Sequence, residues 1–127
     1  MFATTKAFNG FSVDDMDAAR EFYKDTLGLN VRDNEMGMIE ITLGTGGVTL
    51  IYPKHNHEPA TFTILNFPVD DIDEAVDALA AKGVTFERYD GMQQDAKGVA
   101  RGKAANQGPD IAWFTDPAGN ILSVLSS

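Results

Sequence analysis

The stretch Val13-Asp14-Asp15-Met16-Asp17 returns further along the chain as Val69-Asp70-Asp71-Ile72-Asp73. The first copy starts at position 13 and the second at position 69, so the offset is 56 residues, close to half of the 127-residue chain. An alanine follows each copy at the same offset, as Ala19 and Ala75. A repeat of this length indicates a fold built from two copies of one unit.

Each copy lies between an apolar run and a segment with helical spacing. The runs at 6–11 and 61–67 are typical of strands, and the apolar residues after each copy recur at helical intervals. One of the two adjacent aspartates in each copy is expected to cap its helix by accepting hydrogen bonds from free backbone N–H groups. Gly28 and Gly83 are expected to end the helices, because glycine readily adopts the left-handed conformation.

Three strands are predicted after each helix. In the first half they are 29–32, 38–43 and 48–52, and in the second half they are 85–88, 111–115 and 121–125. This order defines an α+β fold class with duplicated βαβββ modules. We expect a single domain over residues 1–127, with halves at about 1–53 and 60–127 and a linker at 53–59.

Composition and charge exclude several classes of function. The formal net charge of -9 disfavours binding to nucleic acid and to anionic membranes. The chain has no cysteine, which rules out disulfides, thiolate nucleophiles and cysteine-bound zinc. No apolar run is long enough to cross a bilayer and no secretory signal is visible, which favours a cytoplasmic protein.

The segment 90–109 interrupts the symmetry of the two halves. It is rich in Gly, Gln, Lys and Ala and shows no clear periodicity. A loop of that length is either a lid over a binding site or a flexible surface loop. Lys97, Arg101 and Lys103 give it positive charge, which serves either to clamp an anionic substrate or to keep the loop soluble.

Local sequences in both halves carry a family resemblance. They are Phe11-Ser12-Val13-Asp14-Asp15-Met16, Phe22-Tyr23, Leu27-Gly28-Leu29, Phe67-Pro68-Val69-Asp70-Asp71-Ile72-Asp73, Gly83-Val84 and Trp113-Phe114-Thr115-Asp116-Pro117-Ala118-Gly119-Asn120. The chain resembles the vicinal oxygen chelate group, the superfamily of glyoxalases, bleomycin resistance proteins and extradiol dioxygenases. The resemblance implies two curved mixed sheets that form a concave cavity. The family hosts enzymes of several classes and non-catalytic drug-binding proteins, so the resemblance indicates the fold and not the reaction.

In metal-dependent members of this family, four inward side chains, usually His or Glu, hold one divalent cation. The resemblance assigns these positions to Phe8, Ile51, Ile64 and Ser123, with Leu50 in place of Ile51 if the alignment slips by one residue. Apolar groups and a single hydroxyl do not bind a divalent cation, so no metal and no cofactor are predicted.

Glu40 is the one candidate catalytic residue. Alternation along 36–43 places it on the cavity side of its strand, opposite Ile39 and Ile41. A carboxyl between apolar walls has a raised pKa and serves as a base or binds a cationic ligand. The alternative is a solvated glutamate on an edge strand.

Further candidates for ligand binding lie in the second half. Phe62, Ile64 and Asn66 share one face of their predicted strand, and Asn66 offers either a polar contact to a ligand or a structural role near a turn. Trp113 is either a stacking surface for a planar ligand or a core-filling residue. The complete predicted binding set is Phe8, Glu40, Ile51, Phe62, Ile64, Asn66, Trp113, Ser123 and Arg101.

His55 and His57, the only histidines, lie in the linker beside Glu58. Positions i and i+2 of an extended segment share a face, so these residues form either a weak metal site or an exposed linker.

The sequence favours a metal-independent protein that sequesters or senses a small organic molecule, similar to the bleomycin resistance branch. The competing interpretation is a lyase, isomerase or dioxygenase-like enzyme with a relocated metal or none. The resemblance also implies a homodimer, and the acidic surface favours cationic ligands.

Overall fold

The computed structural model of the chain describes residues 1–127. These residues form two compact units, Met1–Glu58 and Pro59–Ser127. The boundary between the units falls inside the predicted linker 53–59, and the single-domain organisation of the whole chain stays a prediction. No helix in either unit is long and apolar enough to span a membrane.

The first unit holds one four-stranded mixed sheet. Its strands are β1 Asn9–Val13, β2 Asn30–Asp33, β3 Ile39–Thr42 and β4 Val48–Pro53, in the order β1-β4-β3-β2. Strand β1 is parallel to β4, and the other pairs are antiparallel. The helix α1 spans Met16–Glu21 and continues as a π-helical turn over Phe22–Thr26. All three strands predicted after the first helix are therefore present.

The second unit repeats this arrangement. Its elements are β5 Thr63–Pro68, α2 Ile72–Ala81, β6 Ala100–Arg101, β7 Asp110–Thr115 and β8 Ile121–Ser126. The strand order is β5-β8-β7-β6, with β5 parallel to β8 and α2 packed against β7 and β8. The predicted α+β class with a duplicated βαβββ module is confirmed.

The repeated aspartates begin both helices. Asp15 accepts a hydrogen bond from the backbone N of Ala18, and Asp71 accepts one from the backbone N of Glu74, each at 3.1 Å. The second aspartate of each pair is thus the N-cap, which satisfies a backbone donor that the helix itself leaves free. Gly83 follows α2 with a φ of 90°, as the predicted helix end requires.

The packing of α1 distinguishes the two faces of the first sheet. Tyr23 is fully buried, and its ring lies 5.8 Å from that of Phe11 on β1. Ile51 pairs with both Phe11 and Ile39 in the strand register, so these three side chains share the helix-facing side. The residues between them along each strand, such as Glu40 and Leu50, lie on the opposite, open face.

One predicted strand is wrong. Instead of a strand at 85–88, the structure has a single bridge between Phe86 and Phe114, supported by a 2.8 Å hydrogen bond from the Glu87 backbone N to the Trp113 carbonyl. The edge strand of this sheet is β6, which lies inside the segment predicted as a loop. The edge of β7 is therefore shared by two short pieces of chain, the bridge at Phe86 and the strand β6.

Candidate functional site

A row of three predicted site residues crosses the open face of the second sheet. Ser123 on β8 pairs in register with Asn66 on β5 and with Trp113 on β7. The Ser123 hydroxyl donates a 2.6 Å hydrogen bond to Oδ1 of Asn66. Neighbours on β7, Ala112 and Phe114, are buried, so Trp113 between them faces the other side. The strand register thus brings together residues that lie far apart in the sequence.

A cavity of about 910 Å³ adjoins this row. Its walls come from β6, from β7 and from the segment between α2 and β7. The lining residues are Gly91, Met92, Gln93, Gln94, Asp95, Val99, Ala100, Arg101, Gly102, Ala105, Gln107, Pro109, Ile111 and Trp113. The volume lies within the range of sites that hold small molecules.

Trp113 presents a half-buried indole to this cavity. Its ring meets the ring of Tyr89 edge to face, with centroids 5.4 Å apart and an interplanar angle of 75°. Burial raises the pKa of Tyr89, and the nearby Glu87 carboxylate adds to the rise, so the phenol is neutral at physiological pH. The pair forms an uncharged aromatic corner next to the cavity.

The segment 90–109 is folded into hydrogen-bonded turns. The Gln94 carboxamide accepts from the Tyr89 backbone N at 2.9 Å and donates to the carbonyls of Glu87 and Gly98 at 2.9 and 2.7 Å. Val99 is fully buried. These contacts hold residues 87–99 in hydrogen-bonded turns, and the two alternatives for the segment, a lid or a flexible surface loop, both stay predictions.

Ion pairs attach the same segment to α2. Arg101 donates to both carboxylate oxygens of Asp73, at 2.7 and 3.0 Å, and to Asp95 at 2.9 Å. Lys97 lies 3.2 Å from Asp73 and 3.0 Å from Asp77. The hydrogen bonds from Arg101 and then from Lys97 hold the pKa of Asp73 well below its usual range. Arg101 and Lys97 thus pair with carboxylates of the protein itself. Neither interpretation drawn from the sequence, a clamp for an anionic substrate or a charge that keeps the loop soluble, includes these ion pairs.

Glu40 occupies a separate recess in the first unit. The recess has a volume of about 350 Å³, and Lys24, Arg32 and Thr42 also line it. Arg32 stands opposite Glu40 in the strand register and donates to its carboxylate at 2.7 Å. This hydrogen bond, with a second from Asn34, lowers the pKa of Glu40. The expected raised pKa is therefore wrong, because a guanidinium and not an apolar wall lies next to the carboxyl.

Ile51, a predicted site residue, lies on the opposite side of its sheet from the predicted one. Its side chain is fully buried on the helix-facing side with Phe11 and Ile39, and Leu50 takes the place on the open face. A parallel strand alternates strictly, so an alignment slip of one residue exchanges the two faces. The side chain of Ile51 therefore lies on the helix-facing side and not on the open face, and its role in ligand binding stays a prediction.

The remaining aromatic and aliphatic candidates lie at strand ends. Phe8 and Phe62 precede β1 and β5 and are 68% and 67% exposed. Ile64 lies at a register shift in the pairing of β5 with β8, where the alternation of faces is interrupted. None of the three lines either of the two recesses described above.

His57 makes a contact that the sequence did not predict. Its Nδ1 lies 2.6 Å from the hydroxyl of Ser12 on β1, and its backbone N donates to the Lys54 carbonyl at 3.1 Å. The linker histidine is thus tied to the first sheet and half-buried, while His55 is exposed. No group of three or more His, Cys, Asp or Glu residues in the chain is arranged to hold a metal ion.

The residues that the resemblance assigns to the family's metal positions do not fit a divalent cation. Phe8, Ile64 and either Ile51 or Leu50 offer no donor atom, and the Ser123 hydroxyl is engaged with Asn66. Protein sites for divalent cations need several carboxylate, imidazole or thiolate ligands. This donor set does not supply the Lewis-acid chemistry of metal-dependent members.

Comparison with known proteins identifies the family. A model described as Glyoxalase/Bleomycin resistance protein/Dioxygenase superfamily matches residues 7–124. The chain belongs to this superfamily, and the resemblance seen in the sequence is confirmed. No curated protein matches the sequence at a significant level.

Solved structures share the fold over nearly the whole chain. A glyoxalase family protein from Enterococcus faecalis has 22% identity and a TM-score of 0.68, covering 98% of this chain and 99% of that one. The fosfomycin resistance protein FosX from Listeria monocytogenes has 12% identity and a TM-score of 0.71, covering 100% and 95%. Lactoylglutathione lyase from Agrobacterium tumefaciens has 22% identity and a TM-score of 0.65, covering 95% and 92%. At these identities the likeness concerns the fold alone.

Sequence reasoning missed most of the cavity wall. Met92, Gln93, Val99 and Gln107 all come from the segment treated as an undivided loop. The signal was the length of that segment, since a long insertion in a compact domain tends to serve a binding function. No periodicity along this segment indicates which of its residues face the sheet.

Proposed function

We propose that this protein binds a small organic molecule in the cavity of its second unit. The observation that carries the proposal is the half-buried indole of Trp113 on the wall of a cavity of about 910 Å³. Ile111 and Met92 add apolar surface, and side-chain amides add polar groups. An apolar pocket with a few polar groups is the usual form of a site for small ligands.

Binding at this site is proposed to be metal-independent. The support is the donor chemistry of the family's metal positions, where one hydroxyl stands among apolar side chains. The protein then sequesters or senses its ligand and needs no divalent cation to do so. Proteins of one fold often differ in chemistry in this way, because function depends on the site and not on the fold.

Two measurements on the purified protein test the proposal together. Elemental analysis is expected to find less than one tenth of an equivalent of Ni, Zn, Mn or Fe per chain. A thermal-shift screen of aromatic metabolites and drugs in the presence of EDTA is expected to yield stabilising compounds, because a ligand that binds only the folded state raises the unfolding temperature. A stoichiometric internal metal would contradict the proposal and favour a metal-dependent lyase or isomerase.

We also propose that the protein is a homodimer and that it lies in the cytoplasm. The exposed rings of Phe8 and Phe62 support it, since apolar surface of this kind is commonly covered by a partner subunit. Sedimentation equilibrium is expected to give twice the chain mass of 13.7 kDa, and cell fractionation is expected to recover the protein with the cytosol.

A further inference from the structure

The charged groups on the cavity wall neutralise one another. Asp95 and Arg101 are the only charged residues that line the cavity, and their side chains lie 2.8 Å apart. Asp95 also accepts from the backbone N of Lys97 and of Val99, both at 2.9 Å. Arg101 is bound in addition to both oxygens of Asp73. Neither charge is left to pair with a ligand.

The polar groups that remain available on the wall are carboxamides. The amide of Gln94 is occupied by three backbone groups, as described above. Gln93 and Gln107 are exposed, and their side chains take part in no hydrogen bond. A carboxamide both donates and accepts, so these two residues suit a ligand group that does the same.

A charged ligand finds no free counter-charge on this wall. Burying an unpaired charge is far more costly than burying a neutral group that forms hydrogen bonds. The net charge of -9 attracts cations at long range, but salt screens that attraction over about 8 Å at physiological ionic strength. Because both charges on the wall are already paired within the protein, the groups free to contact a ligand there are the neutral carboxamides.

From this arrangement, and resting on the proposed function, we infer that the ligand is an uncharged planar aromatic compound that carries a carboxamide or lactam group. Its ring lies against Trp113, and its amide exchanges hydrogen bonds with Gln93 and Gln107. This replaces the expectation, drawn from overall charge alone, that the ligand is cationic.

Three naphthalene probes with the same ring and different charge test the inference. They are 2-naphthamide, 2-naphthoate and 2-naphthylmethylammonium, titrated into ¹⁵N-labelled protein at neutral pH. Trp113 is the only tryptophan, so its indole N–H gives a single resonance that reports on the cavity. The amide is expected to shift this resonance saturably, with a Kd about tenfold below that of either charged probe. The control variant Met36→Ala changes a residue that does not line the cavity, and the Kd values of all three probes are expected to stay the same.

The possible results distinguish a wrong ligand class from a wrong binding site. Binding of a charged probe as tight as that of the amide, or tighter, overturns the inference and leaves the proposed function standing. Absence of any shift from all three probes contradicts the proposed site itself. The double substitution Gln93→Leu with Gln107→Leu is expected to abolish the preference for the amide, and an unchanged preference would overturn the role given to the two glutamines.

Discussion

The hydroxyl of Ser123 donates a 2.6 Å hydrogen bond to Oδ1 of Asn66 across strands β8 and β5. Ser123 is fully buried, and the sequence resemblance assigns it to one of the family's metal positions. Here the position joins two strands, and the neighbouring Trp113 continues the same row. On the open face of the second sheet, the hydrogen-bonded pair of Ser123 and Asn66 thus lies in one row with the indole of Trp113.

Replacing Ser123 with alanine is expected to weaken the fold moderately. The substitution removes one hydrogen bond, which is worth about 0.5–1.5 kcal/mol net. Urea unfolding followed by circular dichroism measures the difference. Ser127→Ala, at the exposed chain end, is the matched control and is expected to leave the free energy of unfolding unchanged.

Gly102→Ala is expected to distort the cavity wall. A methyl group there would clash with the Pro109 carbonyl oxygen and lie 2.9 Å from that of Gly108, so the backbone has to move. Strain of this kind costs about 1–3 kcal/mol. Gly44→Ala meets no atom within 4 Å and serves as the control in the same unfolding experiment. Equal stability of the two variants would show that the contact between 102 and 108–109 is not close in solution.

Asp73→Asn is expected to lower the stability in a way that depends on pH. Because Asp73 has a lowered pKa in the folded protein, its contribution is present above the unfolded value of about 3.9 and is lost as the pH falls through the folded value. The difference in unfolding temperature between wild type and variant should therefore be largest near neutral pH and shrink in acid.

Salt provides a second check on the same group of ion pairs. Exposed pairs weaken as ionic strength rises, so the effect of Asp73→Asn should be smaller at 1 M NaCl than at low salt. Asp70→Asn, on an exposed residue without a cation beside it, is the control and is expected to respond to neither variable. A pH-independent loss of stability in Asp73→Asn would argue for a packing role instead.

Ser12 and His57 are expected to be energetically coupled. A double-mutant cycle of Ser12→Ala and His57→Ala isolates their interaction from other contacts of either residue. The 2.6 Å separation predicts a coupling free energy of about 0.5–1.5 kcal/mol. Strict additivity of the two substitutions would mean that the linker is not tied to β1 through this pair.

The repeat carried most of the fold information. Asp15 and Asp71 cap their helices as the local pattern required, because capping depends on backbone donors only a few residues away. The alternation of apolar and polar residues likewise gave the right strands in the first half. Features decided within one turn or one strand are readable from a single sequence.

The candidate site was harder to predict from the sequence than the fold, because it depends on pairings between residues that are distant in the chain. The edge strand β6 formed where the sequence showed no periodicity, since two residues suffice when β7 supplies the partner. The pKa of Glu40 was misjudged because its direction is set by Arg32 on the neighbouring strand. Ile51 was placed on the wrong face by a slip of one residue, to which strand alternation is especially sensitive.

Trp113 borders the proposed site, which is expected to bind a small molecule without a metal. The most direct test titrates the best compound from the stabilisation screen while following Trp113 fluorescence, before and after exhaustive dialysis against EDTA. We expect the same Kd, within a factor of two, in both conditions, and a Kd at least tenfold higher for Trp113→Ala measured by calorimetry. A Kd that weakens more than tenfold after dialysis and returns when Ni²⁺, Zn²⁺, Mn²⁺ or Fe²⁺ is added would contradict it.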